Sequence, residues 1–132
     1  MLQQDKPEDY VIATGETNSV RDFVKLAFGE LGIELEFKGE GVNEKAFVKS
    51  CSGKYILPKG KQVLSIDKRY FRPTEVDLLI GDPTKAKTKL NWEPEYDLKS
   101  LVAEMIREDI KLFEKDVYLK KGGHYIPQNQ EE

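Results

Sequence analysis

The 132 residues, 39% hydrophobic and 34% charged with a net charge of −3, suit one soluble domain with a modest core and disfavour a polyanionic partner. A single cysteine, Cys51, excludes an internal disulfide and points to a reducing compartment, so a cytoplasmic protein is expected. No apolar run approaches membrane-spanning length and no signal-peptide pattern opens the chain; His124 stands alone in the tail, so neither a zinc site nor a Cys–His pair is expected.

In chain order, Met1-Leu2-Gln3-Gln4-Asp5 reads as the last turn of a helix with no N-cap before it, ended by Lys6-Pro7-Glu8-Asp9. Tyr10-Val11-Ile12-Ala13-Thr14 is a short β-branched apolar run, the pattern of a strand buried on both faces. Ser19 and Asp22 form a capping-box pattern, and Val20, Phe23, Val24, Ala27 and Leu31 recur at the spacing of one helix face that Gly32 ends. Strand, turn and capped helix together predict a βα unit of a parallel sheet, although Gly15 stands alone where a dinucleotide fold needs several glycines. Strands are expected at Ile33 to Phe37, at Ala46 to Val48 and at Gln62 to Asp67. Asp82-Pro83 predicts the N-cap and first residue of a helix with Ala86 and Leu90 inward, Lys85, Lys87 and Lys89 in solvent, and Trp92 as a packing anchor. Asp97 caps the last helix, whose stripe is Leu98, Leu101, Val102, Met105, Ile106, Ile110 and Phe113; from about Glu114 the pattern decays.

The stretch from Lys68 to Pro83 concentrates the chemistry. Arg72 precedes Pro73, which pushes its backbone into an extended conformation, and Thr74 with Asp77 forms another capping pattern. A planar five-donor guanidinium held at a helix mouth suits phosphate oxygens, and the acceptor-only carboxylate of Glu75 suits a pair of sugar hydroxyls. The competing reading is a surface turn in which Arg72 pairs with Asp67, Glu75 or Asp77. Interleaved Arg69, Tyr70, Phe71 and Arg72 also suit single-stranded nucleic acid, but the acidic balance of the chain argues against that partner.

Phe71-Arg72-Pro73-Thr74-Glu75-Val76-Asp77, with Gly81-Asp82, Lys85-Ala86-Lys87, Lys89-Leu90 and Trp92-Glu93-Pro94, resembles the C-terminal part of the GDP-mannose 4,6-dehydratase family. Val11-Ile12-Ala13-Thr14-Gly15-Glu16 followed by Ser19-Val20-Arg21-Asp22-Phe23 fits the same family, so the resemblance runs from Met1 to about Phe113. It implies an α/β fold: the small C-terminal substrate-binding domain of an extended short-chain dehydrogenase/reductase, with short strands, three to four helices and the Rossmann half absent. Residues 1–118 would be the nucleotide-sugar binding domain and 119–132 a flexible polar tail. In the family, nicotinamide takes hydride from C4 of mannose, water leaves across C5 and C6, and hydride returns at C6. That chemistry uses NADP on the Rossmann half with a threonine, a glutamate and a tyrosine–lysine pair.

None of that equipment maps onto this sequence. Tyr55 and Lys59 have the spacing of the pair, but Pro58 lies between them and costs ~3 kcal/mol inside a helix. Relatives often turn an asparagine to the phosphates near the first strand; Val11 and Ala13 offer no such group. The resemblance therefore implies no catalytic, cofactor or metal residue here. It places Arg72 at the diphosphate and Glu75 at the ribose of GDP-mannose. The expected role is the GDP-binding side of the conversion of GDP-mannose to GDP-4-keto-6-deoxymannose, towards GDP-fucose and related deoxysugars. The chain alone is expected to be inactive, to bind no NADP, and to work with a Rossmann half in an enzyme whose full-length relatives are homo-oligomers; nucleic acid and membrane are not expected partners. The uncapped start favours a truncated dehydratase. The alternative is a stand-alone sugar-nucleotide binding module or a split-enzyme subunit.

Overall fold

Helix α1 (Val20–Glu30) begins where the chain supplies its own cap. The Ser19 hydroxyl accepts from the Asp22 amide at 3.1 Å, and the Asp22 carboxylate accepts from the Ser19 amide at 3.4 Å and hydroxyl at 2.6 Å. These bonds hold the Asp22 carboxyl below its ordinary range. The computed structural model describes residues 3–72 and 79–125, and the expected helical turn at Met1-Leu2 and the cap at Thr74 and Asp77 lie outside them in whole or part. Of the residues from Gln3 to Lys6 none is helical; they form a turn and bends.

Strands β1 (Ile33–Lys38), β2 (Lys45–Cys51) and β3 (Gln62–Ser65) form an antiparallel sheet in that order. A 3-10 turn (Gly41–Asn43) joins the first two. Register places Leu35 opposite Val48 and Phe37 opposite Ala46, so the apolar members of the alternation share one face. Helix α2 (Thr84–Leu90) and helix α3 (Leu98–Lys121) follow, and α1 and β1 pack together while α3 packs on α1. Asp97 caps α3, accepting from the Ser100 amide at 2.7 Å. Among the described residues the buried apolar ones are Ile33, Ala46, Val48, Ala86 and Val102, a small core for an α/β unit.

Several sequence expectations are corrected. Tyr10 to Thr14 form no strand, and the sheet is antiparallel, so there is no parallel βα unit among the described residues. A strand buried on both faces needs neighbours on both edges; this segment instead runs beside residues 79–83, with Val11 51% and Ile12 49% exposed. Val20, the first residue of α1, is 78% exposed and so does not share the helix face expected for it. Helix α2 starts at Thr84 with Pro83 as its N-cap, one residue later than expected, although Asp82 still accepts from the Thr84 amide at 2.9 Å. Asn91 closes that helix in the left-handed region at φ 50°, a conformation asparagine tolerates. Helix α3 continues past Glu114 to Lys121, sustained by helix-forming residues and a Lys54–Glu114 ion pair. It ends in a Schellman closure, the His124 amide on the Leu119 carbonyl and the Gly123 amide on the Lys120 carbonyl. Its apolar stripe is only partly covered: Val102 is buried, but Phe113 is 67% exposed.

Among the described residues, large apolar side chains are exposed at Val11, Ile12, Leu79, Ile80, Phe113 and Val117. Among the described residues, no helix is long and apolar enough to cross a membrane.

Candidate functional site

The arginine turn is built by its own residues. The Asp67 carbonyl accepts from the amides of Tyr70 at 3.1 Å and Phe71 at 3.2 Å. Its carboxylate accepts from the Arg69 amide at 2.9 Å and from the Arg69 guanidinium, Nη2 at 2.7 Å. Those bonds hold the Asp67 carboxyl below its ordinary range and raise Arg69 above its own. The Arg69 guanidinium also lies 5.6 Å from the centre of the Tyr70 ring. Asp67, one of the carboxylates considered for Arg72, is paired with Arg69.

Arg72 follows on the exposed side of the turn. The ring of Phe71 before it rests against Gly41, where φ is +54° and a Cβ would stand 3.5 Å from Cζ. Glu75, the second site residue expected from the sequence, lies outside the described residues, as does Asp77. The chain re-emerges at Leu79, whose carbonyl accepts from the Thr17 hydroxyl at 2.9 Å. Gly81 then meets Ala13 so closely that a Cβ would sit 2.6 Å from that methyl group. The two stems of the turn thus reach the 3-10 turn on one side and the residues before α1 on the other.

Neither the Phe71–Gly41 contact nor the Thr17–Leu79 bond has a sequence signature, since both join residues far apart in the chain. A third such link is the Arg21–Glu44 ion pair at 2.6 Å, with Arg21 also over the Phe37 ring. The Glu44 side chain is only 15% exposed, and the pair ties the 3-10 turn to α1.

The lysines of α2 do more than face solvent. Lys85 and Lys89 both pair with Glu8, at 2.9 and 2.8 Å; Lys85 also donates to the Asp9 carbonyl and lies over the Tyr10 ring. Bonds from Lys89 and then Lys85 hold the Glu8 carboxyl down at about 2. A depressed carboxylate contributes stability above its ordinary value near 4.5 and loses it as pH falls towards about 2. Glu8→Gln should therefore melt below the wild-type chain at neutral pH, with the gap closing between those two values. Melting curves of both proteins across that window check this, and a gap that persists at pH 2 contradicts it.

Gly15, at φ +82°, is the lone glycine of its turn, and a Cβ there would meet the Pro83 ring in ordinary contact at 3.7 Å. Tyr55 to Pro58 carry no regular structure and Lys59-Gly60 form a turn, so Tyr55 and Lys59 do not share a helix face. No metal-binding cluster of His, Cys, Asp or Glu occurs among the described residues. An open apolar groove of about 480 Å³ lies between Phe28, Leu31, Leu57, Phe113 and Val117, and Arg72 does not line it. The chemistry available at the turn is recognition of an anion by exposed guanidinium donors.

The described residues form a small α/β unit with an exposed arginine beside a surface turn. The family profile described as GDP-mannose 4,6 dehydratase matches residues 1–105, and the chain belongs to that family. It is 50% identical over 129 residues to a GDP-mannose 4,6-dehydratase of Vibrio cholerae, covering 96% of this chain and 35% of that one. It is 46% identical over 125 residues to a GDP-mannose 4,6 dehydratase of Dictyostelium discoideum (95% and 31%) and 46% over 112 residues to one of Homo sapiens (85% and 28%). The chain spans about a third of the length of the curated relatives it matches.

Proposed function

We propose that this chain carries the nucleotide side of a GDP-mannose 4,6-dehydratase. Arg72 holds the diphosphate of GDP-mannose and Glu75 accepts from the ribose hydroxyls. Hydride and proton transfer, and NADP binding, belong to a region beyond these residues, and the chain alone is inactive. The observation that carries this reading is the exposed Arg72 on a turn fixed by Asp67, inside the segment matched to the family. Binding energy gathered at the nucleotide would hold the sugar in place for chemistry elsewhere.

Calorimetry with GDP, GMP and NADP tests it. GDP should bind about tenfold or more tighter than GMP, because charge-assisted bonds to the second phosphate are worth roughly 1.5–3 kcal/mol. Equal affinity for GDP and GMP, or 4-keto-6-deoxy product formed by the purified chain, would contradict the reading.

An enzyme region working with this one would also cover apolar surface. Val11, Ile12, Leu79 and Ile80 are 49–77% exposed and sit side by side, because Gly81 packs on Val11 and Leu79 is bonded to Thr17. Such patches mark interaction surfaces. The isolated chain should therefore bind a hydrophobic dye or self-associate at micromolar concentration, read by fluorescence and sedimentation. A monomer without dye signal would count against a partner at this face.

A further inference from the structure

Resting on the assignment of Arg72 to the diphosphate, we infer that Phe71, seated on Gly41, is a positioning residue that sets where the Arg72 guanidinium stands. Arg72 lies next to Phe71 in the chain, so whatever fixes the Phe71 side chain fixes the backbone from which Arg72 projects. Three observations build the seat. The Phe71 amide is bonded to the Asp67 carbonyl at 3.2 Å, which closes the turn behind it. Its ring lies against Gly41, whose missing side chain leaves a flat face; a Cβ there would touch Cζ at 3.5 Å and Cε2 at 3.9 Å. Gly41 is itself held, because the Glu44 amide donates to its carbonyl at 3.1 Å and the Glu44 carboxylate is locked to Arg21 of α1.

A continuous path of fixed groups therefore runs from α1 through Glu44 and Gly41 to Phe71. The ring is 36% exposed, too open to matter greatly to the core, so its value lies in placement. Within the same turn Arg69 is committed to Asp67 and Tyr70 and does not compete for the anion. A guanidinium recognises phosphate through two parallel bonds, and that geometry is lost with small displacements. Alanine at position 71 leaves Arg72 in the sequence but unseated.

The test is an NMR titration of the 132-residue chain with GDP, sensitive to millimolar affinity, on the wild type and on Phe71→Ala, Phe71→Leu, Arg72→Ala and Phe71→Ala/Arg72→Ala. Phe71→Ala should lose affinity about as far as Arg72→Ala, roughly tenfold, and the double variant should lose no more than either, because both remove one contact. Phe71→Leu, which can still rest on Gly41, should recover most of the affinity. Should Phe71→Ala prove poorly folded, Phe71→Val, whose side chain is too short to reach Gly41, against Phe71→Val/Arg72→Ala gives the same comparison. If Arg72→Ala loses affinity and Phe71→Ala stays within about twofold of wild type, the positioning role is wrong and the diphosphate assignment stands. Losses that multiply in the double variant also overturn the positioning role. If Arg72→Ala changes nothing, or the wild-type chain does not bind GDP, the diphosphate assignment fails and this inference with it.

Discussion

In a full-length dehydratase carrying this segment, Arg72→Ala is expected to weaken GDP-mannose binding about tenfold or more, because hydrogen bonds to charged groups are worth roughly 1.5–3 kcal/mol. Arg72→Lys should recover only part of the loss: an ammonium keeps the charge but cannot make the two-pronged contact. Glu75→Gln should act more mildly and leave NADP affinity unchanged. An Arg72 that merely shaped a surface turn would lower the melting temperature and spare nucleotide affinity. Asp67, one of the carboxylates considered as a surface partner, is paired with Arg69. Affinity and melting temperature measured on the same three variants separate the two accounts.

The largest stability effect is expected at the junction of α1 and β1. Gly32 sits at φ +71°, and a Cβ there would stand 2.7 Å from the Gly53 nitrogen and 2.8 Å from its Cα. Both are backbone atoms of the residue after Ser52, whose amide donates to the Gly32 carbonyl at 2.8 Å, so neither can yield cheaply. A non-glycine residue held in the left-handed region costs of order 1–3 kcal/mol before any clash. Gly32→Ala should thus lower the melting temperature by about 10 °C. Gly29 supplies the control three residues earlier. It lies inside α1 with nothing within 4 Å of a Cβ. Gly29→Ala should stabilise by about 0.8–1 kcal/mol through helix propensity alone. Two glycine-to-alanine changes so close in sequence would then move melting in opposite directions. A similar response at both positions would mean that the close approach of Gly32 and Gly53 is unimportant.

Local signals were legible in the sequence wherever the deciding contact is local. Ser19 with Asp22, Asp97 at the start of α3 and Gly32 after α1 read correctly because caps act within four residues. Ile33 to Phe37 read correctly because alternation reflects one buried face. Tyr10 to Thr14 did not, since a β-branched run looks the same whether or not a neighbouring strand exists to pair with it. The full length of α3 was hidden for the opposite reason: its second half keeps helical propensity after losing a packed face. Arg72 is exposed, just after the turn that the Asp67 carbonyl closes. The Phe71–Gly41 seat, the Arg21–Glu44 tie and the Glu8–Lys85–Lys89 clamp were not legible, because each depends on which distant segments the fold brings together.

The most direct measurement of the central claim is the location of GDP on the folded chain. Amide shifts of the isotope-labelled 132-residue protein should be followed as GDP is added. Binding through the arginine turn predicts saturable changes concentrated at Arg69 to Arg72 and at Gly41, which lies against Phe71. Changes confined to the groove beside Phe113 and Val117, or none at millimolar GDP, would contradict it.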